Sequence, residues 1–199
     1  MIGTSLCNFL QVLCGFKPPF SALSPAEREA VKRFAKNKKS VAEIGVFQGV
    51  TTAVMRTVMH PQGVLVAVDP FASGRLGFSY NEIIAHRHVD RISNGKVIWI
   101  KDKQRAARQK FEGLKLPRFD FLLIDADHTY EGLQVDWAVW HDAVTKGGVV
   151  ALHDSISSET RVIDELGSVV FTKEVVLNDS RFAFVCAVDT MVIMQKLID

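Results

Sequence analysis

Apolar residues in this chain fall into short unbroken runs, separated by longer stretches in which they recur at helical spacing. The runs Val41-Ala-Glu-Ile-Gly45, Val64-Leu-Val-Ala-Val-Asp69, Phe121-Leu-Leu-Ile-Asp125 and Val149-Val-Ala-Leu-His-Asp154 each carry an acidic or imidazole side chain where the apolar residues give out. Such runs read as buried parallel strands, and the spacing predicts strands at 41–44, 64–68, 97–100, 119–124 and 149–152. Helices are predicted at 6–16, from a cap at Ser24 to 36, and at 50–59, 80–91, 104–111, 130–144 and 159–166. Lys146-Gly-Gly148 reads as a helix stop feeding the fifth strand. Two closing strands, 174–177 and 182–188, are joined by Asn178-Asp-Ser-Arg181, a connection short enough for a hairpin with the last strand antiparallel. The resulting fold class is α/β: a doubly wound sheet of seven strands, mostly parallel, with helices on both faces.

At 199 residues the pattern forms one domain, with a helical, lid-like segment over 1–38 and an α/β core over 40–199. The formal net charge of +2 gives no reason to expect nucleic acid, and the basic clusters at 32–39 and 101–110 lie where solvated helix faces are expected. Cys7, Cys14 and Cys186 lack disulfide or metal spacing and read as reduced thiols. The apolar opening has neither a basic n-region nor a convincing cleavage site, and no run reaches the ~20 residues of a membrane span. The cytoplasm is the expected compartment.

In an open α/β sheet, ligands bind beyond the carboxyl ends of the strands. There Glu43-Ile-Gly45-Val-Phe-Gln-Gly49 turns from the first strand into its helix, and glycine lets backbone approach a ligand closely. Asp69 ends the second strand, where a carboxylate can accept both hydroxyls of a ribose. The motif is E-x-G-x-x-x-G rather than the G-x-G-x-x-G of dinucleotide sites, and Glu43 would repel a pyrophosphate. A cofactor with a ribose, no phosphate and a cationic end fits better. A plain βα turn with a capping Asp69 is the bland alternative.

These residues resemble the class I S-adenosylmethionine-dependent methyltransferases, whose Rossmann-like fold matches the predicted order of elements. Val41 to Thr52 resembles that superfamily's first motif, and Val68-Asp69 its ribose-binding acid. The resemblance implies that the Gly45 region cradles the methionine end, and that Ile98-Trp-Ile-Lys-Asp-Lys103 lies near the adenine, with Lys101 and Asp102 as contacts.

A second cluster follows. Asp125 ends the fourth strand with Asp127 and His128 in the next turn, and His153 and Asp154 end the fifth. Carboxylates on adjacent strand ends can share Mg²⁺ or Mn²⁺, which gives a metal set of Asp125, Asp154 and His153. An imidazole beside them suits general-base work. The stretch is similar to small-molecule and sugar O-methyltransferases, a likeness that implies Asp125 as a cofactor or metal ligand and His128 as the base. His153 departs from the second acid usual in those relatives.

The expected acceptor is a hydroxyl on a small molecule or sugar. Phe9, Phe16, Phe20, Phe71 and Phe78 could form an apolar lid with Arg75 meeting the acceptor, or the 6–16 segment packs on the body or in a homodimer. Two other classes compete: an inactive S-adenosylmethionine- or nucleoside-binding protein, and an NAD-dependent oxidoreductase on the same scaffold.

Overall fold

The computed structural model describes residues 5–74 and 77–198. Its sheet has seven strands in the order β3-β2-β1-β4-β5-β7-β6. They are β1 (Ser40–Ile44), β2 (Val64–Val68), β3 (Lys96–Ile100), β4 (Phe119–Ile124), β5 (Val144–Leu152), β6 (Phe182–Val188) and β7 (Met191–Lys196). The first five are mutually parallel, and β7 inserts antiparallel to both β5 and β6. The helices are α1 (Leu6–Leu13), α2 (Pro25–Ala35), α3 (Val50–Val58), α4 (Tyr80–Val89), α5 (Gln104–Gly113), α6 (Tyr130–Trp140) and α7 (Gly167–Glu174).

Alternation along each strand divides the core in two. Ala42, Ile44, Val66, Leu122, Ile124 and Leu152 face Phe111 of α5, Leu133, Trp137 and Trp140 of α6 and Phe171 of α7. Val41, Leu65, Ala67, Phe121, Leu123 and Ala151 face Val31 and Ala35 of α2, Met55 of α3 and Ala85 of α4. Because both faces are covered, the strands read as continuous apolar runs rather than as alternating ones.

Helix α2 starts on a complete capping box: Ser24 accepts from the Glu27 N–H, and the Glu27 carboxylate accepts from the Ser24 N–H at 2.7 Å. That exchange also aims Glu27 inward. Helix α1 buries Phe9, stacked on Tyr80 at 4.5 Å between centroids, and leaves Leu6 and Leu10 exposed.

Four predicted elements differ. Lys146-Gly147-Gly148 lies inside β5, where Gly147 takes φ 78° beside a register shift at Phe119/Phe121. The glycines accommodate a bulge, and α6 has already ended at Trp140. Residues 159–166 are not helical. Ser157 Oγ accepts from Ile163 N and Ser158 Oγ from Arg161 N, so side chains take the amides a helix would use, and α7 begins only at Gly167. Residues 174–177 close α7 and enter a 3₁₀ turn over Val176–Asn178. The closing hairpin is instead β6 and β7, turning at Asp189-Thr190 with Asp189 at φ 48°. No helix among the described residues is long and apolar enough to cross a membrane.

Candidate active site

The parallel strands end level. Beyond them, the backbone N–H of Gly45 donates to Val68 O, Asp69 to Ile100 O, Asp125 to Ile44 O and His153 to Ile124 O. The ladder thus extends one residue past each strand and lines up the chemistry-bearing side chains along one edge.

At the β1–α3 turn, a Cβ on Gly45 would sit 2.1 Å from the Asp125 carbonyl oxygen. Glycine is needed there for the close approach of β1 to β4, so an added side chain strikes protein before it reaches any ligand. Gly49 caps α3 at φ 74°, with Ala85 Cα 2.9 Å from its would-be Cβ. Asp69 Oδ2 accepts both Val46 N–H and Phe47 N–H at 2.9 Å, and Oδ1 accepts Phe71 N–H at 2.6 Å. The acid that ends β2 therefore shapes the Gly45 loop from behind.

Glu43 is 1% exposed and accepts a short hydrogen bond from the Thr52 hydroxyl. Burial raises its carboxyl well above the usual range; the Thr52 bond opposes this, and the charges of Asp125 and Asp69 add to it. A group so placed gains most from a cation brought beside it.

Further along the edge His153, its side chain fully buried, donates from Nδ1 to Asp125 Oδ1 at 2.9 Å. Its Nε2 lies 3.5 Å from Glu27 Oε2 and 3.6 Å from Asp154 Oδ1, ion-pair contacts rather than directed hydrogen bonds. Burial alone would lower the His153 pKa, but the bond to Asp125, the contact with Glu27 and the charges of Asp125 and Asp154 hold it up at about 10. Asp154, at φ 50°, is gripped by Arg161, Nη1 to Oδ1 at 2.5 Å and Nη2 to Oδ2 at 2.9 Å. Thr190 Oγ1 lies 2.9 Å from Asp154 Oδ1 and 2.8 Å from Glu27 Oε1. His128 is about a third exposed, its Nε2 3.6 Å from Asp125 Oδ1.

A cavity of about 260 Å³ opens over this edge, lined by Phe20, Ser21, Glu43, Gly45, Phe47, Asp125 and His128 among others. The sequence profile of a family described as "Methyltransferase domain" matches residues 42–155, more than half of the chain. The chain belongs to this methyltransferase family.

The fold agrees with that assignment. Similar solved structures include an O-methyltransferase from Bacillus cereus in complex with SAH, at TM-score 0.65 and 18% identity, covering 96% of this chain and 90% of that one. The O-methyltransferase TomG from Streptomyces achromogenes, involved in tomaymycin synthesis and solved with SAM, gives TM-score 0.66 and 15% identity over 96% of this chain and 89% of that one. The MycE methyltransferase of the mycinamycin pathway, solved with Mg and SAH, gives 0.59 and 15%; this chain covers 54% of it. A search of curated sequences finds no match.

Of the residues singled out in this methyltransferase, the cavity brings Glu43, Gly45, Asp125 and His128 together, with Asp69 and Gly49 supporting its walls. Lys101 pairs with Glu82 at 2.6 Å, and Asp102 with Lys110 at 2.9 Å. Asp127 accepts from Thr129 N, just ahead of the Thr129 cap of α6. Among the five phenylalanines only Phe20 lines the cavity, edge-on to Phe47. Phe71 is buried beside Trp99, Phe9 packs on Tyr80, and Arg75 lies outside the described residues.

Asp125, His128 and His153 offer donor atoms within 4.8 Å of one another, so a cluster able to approach a cation is assembled. Its chemistry is one carboxylate and two imidazoles, whereas Mg²⁺ and Mn²⁺ favour oxygen. Asp154 does not join it, because Arg161 and Thr190 already hold its oxygens, and His153 Nδ1 is occupied by Asp125. An Mg²⁺ site built on Asp125, Asp154 and His153 does not fit these side chains as they stand. Glu27, Arg161 and Thr190 were not legible as site residues, since nothing local in sequence marks them.

Proposed function

We propose that this methyltransferase acts on a hydroxyl oxygen of a small molecule or sugar, with His128 as the base. The observation that carries this reading is the shared cavity wall: Glu43 and Asp125 line it as acids, and His128 stands beside them partly open to solvent. S-adenosylmethionine, when bound, supplies a methyl group already activated on a cationic sulfur. A cation there would favour the ionised form of the buried Glu43, with Asp125 on the same wall, and Asp69 holds the loop that carries Val46 and Phe47. His128 would take the proton of the acceptor hydroxyl as that oxygen becomes the nucleophile for the methyl group the cofactor would supply. The products are a methyl ether, the demethylated cofactor and a proton. Phe20, Ser21 and Ala22 border the opening and suit a compact acceptor.

The test is a screen of phenolic, aliphatic and sugar hydroxyl acceptors for demethylated cofactor, with and without Mg²⁺. Turnover on a hydroxylated acceptor supports the reading. Binding of S-adenosylmethionine with no turnover on any of them, or tighter binding of NAD, overturns it.

A further inference from the structure

We propose that Glu27, on helix α2, is a positioning residue of the active site, acting through the His153 ring to fix the Asp125 carboxylate at the cavity wall. The idea rests on the reading above of the cavity as the reacting site, and on a chain of contacts that crosses the fold. Glu27 lies outside the 42–155 segment that carries the family match, yet it is 2% exposed and reaches the strand ends.

Glu27 is pinned first. Its Oε2 accepts from Ser24 N at 2.7 Å, and its Oε1 accepts from Thr190 N at 3.0 Å, so cap and hairpin turn hold it from both sides. Oε2 then stands 3.5 Å from His153 Nε2, and the opposite ring nitrogen donates to Asp125 Oδ1 at 2.9 Å. A neutral ring protonated at Nδ1 would turn its Nε2 lone pair toward the carboxylates of Glu27 and Asp154. A ring protonated only at Nε2 would lose the bond to Asp125. The arrangement is satisfied when both nitrogens carry protons. His153 then lies as a fixed cation among Glu27, Asp125 and Asp154, with Arg161 as the second cation of the cluster.

The consequence falls on Asp125. One of its oxygens is held by His153, and that same oxygen lies 3.6 Å from His128 Nε2 on the cavity wall. In this site a protein cation orients the strand-end carboxylate, at the position where the sequence placed a divalent ion.

Glu27→Gln keeps the shape and an acceptor oxygen but removes the charge. With an acceptor from the screen, it is expected to lower kcat by about 10²-fold, as loss of alignment does, with S-adenosylhomocysteine affinity and acceptor KM within about threefold of wild type. Adding Glu27→Gln to His153→Gln should cost nothing further in kcat, because the two residues act in series. Arg28→Ala, which removes the bond from α2 to Leu23 O, should lower Tm and leave kcat unchanged. Multiplicative losses in the double variant, or equal kcat losses in Arg28→Ala and Glu27→Gln, would make Glu27 a fold residue only and overturn the proposal.

A second readout needs no acceptor and separates this inference from the proposed reaction. Nitrogen-15 correlation spectra of the His153 ring should show protons on both nitrogens, with Nδ1–H retained when Mg²⁺ is added. A ring protonated at Nε2 alone, or loss of Nδ1–H on adding Mg²⁺, overturns the proposal even if methyl transfer is found. Failure of the screen with the ring doubly protonated would discard the proposed acceptor chemistry alone.

Discussion

Phe47 is held at φ 53° with its N–H 2.9 Å from Asp69 Oδ2. A bulky residue rarely adopts this left-handed conformation, and the hydrogen bond to the Asp69 side chain offsets the strain. Asp69→Ala removes that acceptor together with the bonds to Val46 and Phe71, and so slackens the whole turn. We expect S-adenosylhomocysteine binding to weaken by about 1–3 kcal/mol. Calorimetric titration with unchanged affinity would remove Asp69 from the cofactor site, as ribose partner and as loop anchor alike.

Gly45→Ala is expected to act on the fold before it acts on binding. The new Cβ meets the Asp125 carbonyl at 2.1 Å and must sit at φ 92°. Urea unfolding should show a loss of roughly 3 kcal/mol, at the upper end for an overpacked site. A variant of wild-type stability with weakened cofactor binding would show that the residue serves the ligand and not the packing of β1 on β4.

His128→Ala should lower turnover by roughly 10²–10⁴-fold, the range for a lost general base. Cofactor affinity should barely move, because the ring is partly exposed and holds none of the turn. Retention of full turnover would transfer the base role to another group or to solvent.

Glu43→Gln should separate the two forms of the cofactor. Removing a buried acid from the wall deprives the positively charged sulfonium of a partner, whereas the demethylated product has a neutral sulfur. S-adenosylmethionine affinity is expected to fall roughly tenfold more than that of S-adenosylhomocysteine. Equal losses for both would place Glu43 away from the sulfur.

Asp136 gives a stability prediction with a definite pH window. It is fully buried in α6, neither of its carboxylate oxygens has a hydrogen-bond partner among the described residues, and burial, helped by the charge of Asp127, pushes its pKa from 3.8 up to about 7. Because the folded pKa is raised, the unfolded chain ionises first as pH rises. The penalty is absent below 3.8, grows between 3.8 and about 7, and is fully present above. It amounts to roughly 4 kcal/mol at most. Asp136→Asn should therefore match the wild type near pH 4 and exceed it in Tm at pH 8. A variant less stable than wild type at pH 8 would point to a partner for this carboxylate.

The parallel half of the sheet was legible because strands buried on both faces announce themselves as apolar runs, and Glu43, Asp69, Asp125 and His153 stand where those runs stop. The C-terminal third was harder to read. Val175 and Leu177 suggest a strand but lie at the close of α7, while the strand signal of Met191–Lys196 follows directly on a two-residue turn and went unread. Lys101 and Asp102 occupy the expected loop, and their pairing with Glu82 and Lys110 could not be read from the sequence. Glu27 shows the same limit. Its capping-box role is written locally, whereas its place beside His153 depends on how α2 docks.

The hydrogen bonds between Thr190 and Glu27 join residues 163 positions apart. A chain made from its amino end has α2 and the first four strands in hand long before the β6–β7 turn exists. Until that turn docks, Glu27 lacks two of its donors and Asp154 lacks its Thr190 contact, so buried charges near the cavity are incompletely matched. Contacts of such long sequence separation form late and slowly. Nascent chains halted before residue 190 should thus carry most of the sheet but an unfinished site, and the capacity to react would emerge only as the last hairpin closes against the first helices.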